Sequence, residues 1–310
     1  MVCPFEQGHD ATLSVIACVF HPGEEIDHGP VDQPGQAAGG RVDLHWPVLE
    51  PGVAIGLFGL ALVIGGYGSI IGAGGGFLLI PGLALLFGLD GAEAVGTGVI
   101  TLACLHAAGS VAYDRQGLVE RTVAAWWAVT AAPVALLSGW LLTNRLDSDV
   151  LLTIIGLLMI ALAVFVAMGS MGGHQVGTDT PARSGVGVEP RVAALLVGAS
   201  GVGFLNGAFA VGGGLIAVPY LARVQRLSAH RAAATTAAAG MAASSAAAVG
   251  HALAGNIVWA YAPPLILGAV IGSSTGARLG PRLSPRTVMV LLSAGLVTTG
   301  APLIGFARWA

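Results

Sequence analysis

The chain has 310 residues, 55% of them hydrophobic and only 9% charged, with a net charge of −3 at neutral pH. A soluble domain carries about 25% charged residues, so this chain cannot clothe itself in polar surface. A soluble enzyme and a nucleic-acid-binding module are excluded on that ground, and an all-α polytopic membrane protein is expected.

Residues 1–50 are unlike the rest. They hold eight acidic residues against Arg41 alone, and their one apolar run, Ala11 to Phe20, is too short to span a bilayer and has no basic flank. An acidic, disordered tail is expected there. Four histidines lie in it (His9, His21, His28, His45), at spacings that fit no ordinary metal site.

From residue 51 onward the chain is written twice. Gly74-Gly75-Gly76-Phe77-Leu78-Leu79-Ile80-Pro81 returns 138 residues later as Gly212-Gly213-Gly214-Leu215-Ile216-Ala217-Val218-Pro219. Without a gap, Ala94 then meets Ala232, Thr97 meets Thr235 and Gly117 meets Gly255. The first repeat, 51–168, offers apolar segments at Val53–Ile71, Phe77–Leu89, Ala92–Tyr113, Val123–Leu142 and Val150–Met168. A glycine-rich linker, 169–190, follows. The second repeat, 191–310, offers Val192–Val211, Leu215–Val224, Ala229–His251, Ile257–Leu279 and Val288–Phe306. The second segment of each set is too short for the roughly 20 residues of a straight crossing.

The thirteen basic residues are all arginine, and their placement in the loops orients the repeats. In the first repeat the post-glycine loop has Asp90 and Glu93, the next has Arg115 and Arg121, and the third sets Arg145 against Asp147 and Asp149. In the second repeat the order is reversed. Arg223, Arg226 and Arg231 come first, Gly255-Asn256 carries no charge, and Arg278, Arg282 and Arg286 close the set. Short cytoplasmic loops are enriched in arginine, so the pattern reads out, in, out and then in, out, in. Inverted repeats follow, and inversion needs an odd number of crossings in each. A glycine-broken helical hairpin plus three transmembrane helices per repeat supplies five, ten in all. The alternative, one broken helix in place of the hairpin, makes eight passes and parallel repeats.

The triple glycines carry the functional reading. Hydrocarbon offers no hydrogen-bond partner, so non-helical backbone must face protein or water, and glycine permits a sharp turn. The helices restarting at Phe77 and Leu215 present free N–H groups and the positive end of the dipole, an anion site without a buried cation. Gly74, Gly75, Gly76, Gly212, Gly213 and Gly214 are the candidate backbone donors. Glycine-interrupted segments at matching places in two halves point to a transporter's binding site. Close helix packing is the competing explanation, and it governs Gly268, Gly272, Gly276 and Gly280, a GxxxG ladder on one helix.

Side-chain candidates lie beside these turns. Ser69 and Asn206 precede them. Thr97 and Thr235 are repeat mates, Thr101 is one helical turn beyond Thr97, and Thr236 adjoins Thr235. Hydroxyls and amides suit an oxyanion, although each also packs helices. His106 is the one ionisable group deep in a span and is a candidate proton carrier; its repeat mate is Ser244.

Gly72-Ala73-Gly74-Gly75-Gly76-Phe77-Leu78-Leu79-Ile80-Pro81 with Ala94-Val95-Gly96-Thr97, the turn Tyr113-Asp114-Arg115-Gln116-Gly117, and Gly212 to Pro219 with Ala234-Thr235 resemble the sulfite exporter TauE/SafE family, also called the toluene sulfonate uptake permeases. The resemblance covers about residues 53–307. It implies a multi-pass transporter of the cytoplasmic membrane whose members are linked to sulfite, sulfoacetate and other organosulfonates. Departures are the acidic tail and Ala234 where the first repeat has Gly96.

The function expected is secondary transport of a small sulfur-containing anion by alternating access, with a passive anion channel as the rival. An enzyme is not expected: there are no haem-spaced histidines, no metal cluster and no nucleophile–base pair. No cofactor or metal is expected. The partners are a small anionic substrate and the lipid bilayer, with a homodimer as the oligomer to test and no nucleic acid.

Overall fold

The computed structural model describes residues 49–72, 74–171, 192–211 and 213–283. Residues 1–48 of the tail, 172–190 of the linker and the final span expected at Val288–Phe306 lie outside these residues, as do Ala73 and Gly212. Among the described residues the fold is all helical, with nine α-helices. In the first repeat these are α1 (Pro51–Ile71), α2 (Gly76–Phe87), α3 (Gly91–Asp114), α4 (Arg121–Leu141) and α5 (Ser148–Met171). In the second they are α6 (Val192–Phe209), α7 (Gly214–Val224), α8 (Ala229–Leu253) and α9 (Ala262–Leu279). Helix α9 begins five residues later than expected, because the chain from Gly255 to Tyr261 forms turns.

Helices α1, α3, α4, α6 and α8 are long and apolar enough to cross a bilayer. Their outward faces are bare hydrocarbon: Val63 is 70% exposed, Val129 71% and Val197 74%. In water such faces would not persist on a monomer.

Both glycine segments fold as hairpins. Helix α1 ends at Gly72 (φ +71°), and Gly74 and Gly75 continue in the left-handed region (φ +82° and +77°). Reversal brings Gly75 against Ile64 and Gly68, Gly82 against Leu60, and Phe87 against Gly56, so α2 runs antiparallel beside α1. The rings of Phe77 and Tyr67 meet across this hairpin at 6.4 Å. In the second repeat Gly213 sits against Val202, and the Tyr220 hydroxyl donates to Ala194 O at 2.5 Å, so α7 retraces α6. With 12 residues, α2 is about 18 Å long, against a hydrocarbon core of about 30 Å. It returns part of the way only.

Packing between the halves is reciprocal. A methyl group at Gly65 would lie 2.8 Å from Ala269 O, and one at Gly203 would lie 2.6 Å from Ala131 O; these are the same two positions with the repeats exchanged. Gly117 and Gly255, repeat mates in the short turns, both have positive φ (+68° and +77°). The glycine ladder of α9 lies along α1. Gly268 meets Phe58 and Leu62, Gly272 meets Leu62 and Gly66, Gly276 meets Gly66, and Gly280 meets Ile70. A small residue every fourth position on α9 admits the α1 backbone at each turn.

Helix directions follow from these contacts. α9 runs parallel to α1, and parallel to α3 as well, through Ser273 on Leu105 and Gln116 on Ala277. α8 runs opposite to α3, with Ser244 on His106 and Ala234 clustered with Tyr113. The bundle therefore has two unlike ends. At one lie Arg115, Arg121, Arg223, Arg226, Arg231, Arg278 and Arg282, with Asp114 and Glu120 as the only carboxylates among the described residues. The opposite end holds Glu50, Asp90, Glu93, Asp147 and Asp149, with Arg145.

Candidate functional site

Where the two halves cross, repeat mates touch each other. His106 Nδ1 on α3 lies 3.1 Å from Ser244 Oγ on α8. These equivalent positions meet where α3 crosses α8, and their contact is the axial pair. Asn206 Nδ2 donates to the same Ser244 Oγ at 3.2 Å. On the other side of the ring, a methyl group at Gly74 would lie 2.5 Å from His106 Nε2, so the bare α-carbon admits the imidazole. A continuous polar line thus runs from the first glycine turn through His106 and Ser244 to Asn206, just before the second turn.

The helix starts flanking this line have unspent donors. Gly76 and Phe77 are buried, and Gly214 and Leu215 likewise; none of their amides has an acceptor among the described residues. The glycine turn itself is partly satisfied, with Gly72 N–H donating to Ser69 O and Gly74 N–H to Gly68 O, each at 3.2 Å. Asn206 Oδ1 and Thr236 Oγ1 are also buried without a partner among the described residues. Turning the Asn206 amide over would let its oxygen accept from the Ser244 hydroxyl and aim an N–H₂ where Oδ1 now lies. Buried amides and hydroxyls without acceptors are costly, and an anion would satisfy them.

A small cavity beside His106 is lined by Gly68, Ser69, Gly72, Gly74, Tyr113 and Ser273. Its volume of about 10 Å³ is room for one water at most. Hydrogen bonds close it towards the arginine-bearing end: Tyr113 donates to Ser69 O at 2.6 Å, the Ser69 and Ser273 hydroxyls lie 2.8 Å apart, and Ser273 donates to Leu105 O at 2.8 Å. These bonds wall the cavity on that side.

The sequence candidates divide. Gly74, His106 and Asn206 gather at the axial pair, Gly75 and Gly76 continue the first hairpin's turn, Gly213 and Gly214 form that of the second, and Gly212 lies outside the described residues. Phe77 is fully buried and braces its hairpin against Tyr67. Thr97 and Thr235 each accept one hydrogen bond from the other half. Thr97 Oγ1 accepts the Val258 N–H and Thr235 Oγ1 accepts the Glu120 N–H, each at 3.0 Å. These are again exchanged copies of one bond, in which each threonine holds the turn leading into a helix of the other half. Thr101 donates back to Thr97 O at 2.9 Å, and Thr236 keeps its hydroxyl unspent.

Reasoning from sequence missed Tyr113, Ser244 and Ser273 as members of the axial cluster. The only signal was that Ser244 is the repeat mate of His106. It also missed His251, at 0% exposure, whose Nε2 lies 2.8 Å from Gly207 O. Its mate Tyr113 makes the matching bond to Ser69 O, the mate of Gly207, so this contact too is written twice.

Comparison with known proteins places the chain. The profile of the sulfite exporter TauE/SafE family matches residues 57–303. "Probable membrane transporter protein YunE" of Bacillus subtilis is 23% identical over 264 residues, 79% of this chain and 95% of the relative. "Probable membrane transporter protein MJ0441" of Methanocaldococcus jannaschii is 26% identical over 168 residues, 53% of this chain and 59% of the relative. A "Probable membrane transporter protein" of Xylella fastidiosa is 28% identical over 134 residues, 43% of this chain and 50% of the relative. No solved structure matches the chain.

Proposed function

The chain belongs to the sulfite exporter TauE/SafE family of multi-pass membrane transporters, and from that premise we propose that it is a secondary carrier for a small sulfur-containing anion, sulfite or an organosulfonate such as sulfoacetate. The observation that carries this reading is the set of buried amides at the starts of α2 and α7 that have no acceptor among the described residues, flanking the His106–Ser244 pair. A helix start binds an oxyanion through oriented N–H groups and the dipole, without a counter-charge that would have to move with the substrate. Asn206 and Thr236 supply side-chain donors, and His106 is the group placed to carry a proton.

In this reading the halves lie upside down to one another in the cell membrane, each crossing it five times, with the arginine-bearing end in the cytoplasm. The opposite run of α3 and α8 and the unequal ends of the bundle support that arrangement. Transport would proceed by rocking one half on the other about the axial pair. The axial cavity, with room for one water at most, supports a carrier over an open pore, and a passive channel is the rival.

The test is a thermal-shift assay on detergent-purified protein with sulfite, sulfate, sulfoacetate, taurine and chloride, paired with counterflow in proteoliposomes. Stabilisation by one or two sulfur anions, absent in Gly76→Leu, together with trans-acceleration by the same anions, is the expected result. Flux without saturation or counterflow would establish the channel, and no shift with any sulfur anion would overturn the substrate class.

A further inference from the structure

A second cavity lies away from the axial pair. It is a cleft of about 430 Å³ at the arginine-bearing end, between the final turns of α3 and α9. Its walls carry Arg115, Arg278, Arg282, Gln116 and Ser274, and no carboxylate. The two nearby ion pairs are made by other arginines, Arg121 with Asp114 and Arg231 with Glu120. Arg115, Arg278 and Arg282 have no ion-pair partner among the described residues. Gln116 fixes the width of the cleft, its Nε2 donating to Ala112 O on α3 (2.9 Å) and to Ala277 O on α9 (3.3 Å).

Arginines at helix C-termini complement the dipole, and that accounts for part of this arrangement. It leaves most of the charge over, since three full charges face two helix ends of about half a charge each. The cleft also adjoins the axial site. Ser274 on its wall follows Ser273 of the axial cluster, and Ala112 precedes Tyr113, which closes the small cavity. Finally, the cleft is not duplicated. The repeat mates of Arg115, Arg278 and Arg282 are Leu253, Trp140 and Asn144, so the other end of the path has no counterpart.

We propose that Arg115, Arg278 and Arg282 form a second, peripheral oxyanion site that gathers the transported anion at one mouth only. Its ligand chemistry is a small oxyanion held by guanidinium groups: a sulfonate, a sulfite or, from a different source, the phosphate of a lipid headgroup. The identity of the transported anion rests on the carrier reading above; the existence of the site does not. Because the cleft is open to water, binding there weakens with salt, whereas an enclosed axial site responds little.

The test uses the full chain in phosphatidylcholine nanodiscs with radiolabelled sulfite and sulfate as probes. Wild type is compared with Arg115→Gln/Arg278→Gln/Arg282→Gln and with Gly76→Leu, and thermal unfolding checks that each variant is folded. The expected result is that Gly76→Leu keeps a salt-sensitive binding component, which the triple variant loses by about tenfold or more in affinity. A folded triple variant that binds both probes as wild type does, with the same salt response, overturns the proposal. If instead Gly76→Leu matches wild type and the triple variant binds nothing, the axial reading fails while the cleft stands. Repeating the assay in phosphatidylglycerol nanodiscs separates the sources. Loss of the salt-sensitive component there, with phosphatidylglycerol retained on wild type and not on the triple variant by native mass spectrometry, assigns the cleft to a lipid headgroup and overturns the gathering role.

Discussion

His106 and Ser244 hold equivalent places in the two repeats, and their side chains meet at 3.1 Å. One half presents an imidazole to the axis and the other a hydroxyl, so the duplicated scaffold is chemically asymmetric at its centre. When the Ser244 hydroxyl donates to Nδ1, the ring proton sits on Nε2, the nitrogen nearest Gly74.

Ser244→Ala removes the partner of both His106 Nδ1 and Asn206 Nδ2 in a buried setting. An unsatisfied buried group costs about 1–3 kcal/mol. The variant should unfold at lower temperature and transport more slowly, while Ser244→Thr, which keeps the hydroxyl, should restore both. Unfolding curves and initial uptake rates measure this, and an alanine variant equal to wild type would remove the pair from the mechanism.

Thr97 and Thr235 should behave as structural residues. Thr97→Val keeps the shape but strands the Val258 N–H, and Thr235→Val strands that of Glu120. Each should lose about 1–3 kcal/mol of stability with the apparent KM for sulfite unchanged, and the serine variants should be mild. A rise in KM at full stability would return these hydroxyls to the substrate.

Gly272→Val would push a side chain into Leu62 O and to 2.8 Å from Gly66 N. Overpacking usually costs about 1–3 kcal/mol, but here the obstruction is backbone, which cannot yield as a side chain does. The expected outcome is loss of a monodisperse peak in size-exclusion chromatography. By contrast Gly201→Val on α6, where nothing lies within 4 Å, should be tolerated.

Arg231 on α8 donates to Glu120, the residue capping α4, and this pair ties the two halves at the arginine-bearing end. At side-chain exposures of 30% and 15% it is shielded from solvent more than an ordinary surface pair. If that mouth must part during transport, Glu120→Gln should favour the parted state. A loss of about 1.4 kcal/mol corresponds to tenfold in population. In a Cys3→Ala/Cys18→Ala/Cys104→Ala background, Ala234→Cys should then react about tenfold faster with a membrane-impermeant maleimide added on that side. An unchanged rate would show that the pair does not hold the mouth shut.

Much of this architecture is legible in the sequence. Bilayer embedding follows from composition, and the duplication follows from Gly74–Pro81 and Gly212–Pro219. The hairpins follow from triple glycines before segments too short to cross. The α9 ladder announced a close helix contact, and reversal of the loop arginines anticipated the two unlike ends. All of these are properties of a segment and its solvent: how much side chain must be hidden, where backbone must bend, and which loops carry charge.

Which atoms meet across the halves was decided by tertiary packing alone. Thr97 and Thr235 were attractive as substrate ligands because they are polar, buried and duplicated. Those same properties describe hydroxyls that hold a neighbouring turn, and only the register of α3 against the Val258 turn showed that Thr97 makes such a bond. Likewise nothing in the spacing of Arg115 and Arg278 places them on one cleft, because they lie in different repeats and meet only where α3 and α9 run side by side. The sequence by itself determined the fold's parts, their repetition and their burial, since these depend on local pattern and solvent. The axis, its histidine–serine pair and the one-sided arginine cleft were decided by the packing of one repeat on the other, a relation between distant residues that no local pattern carries.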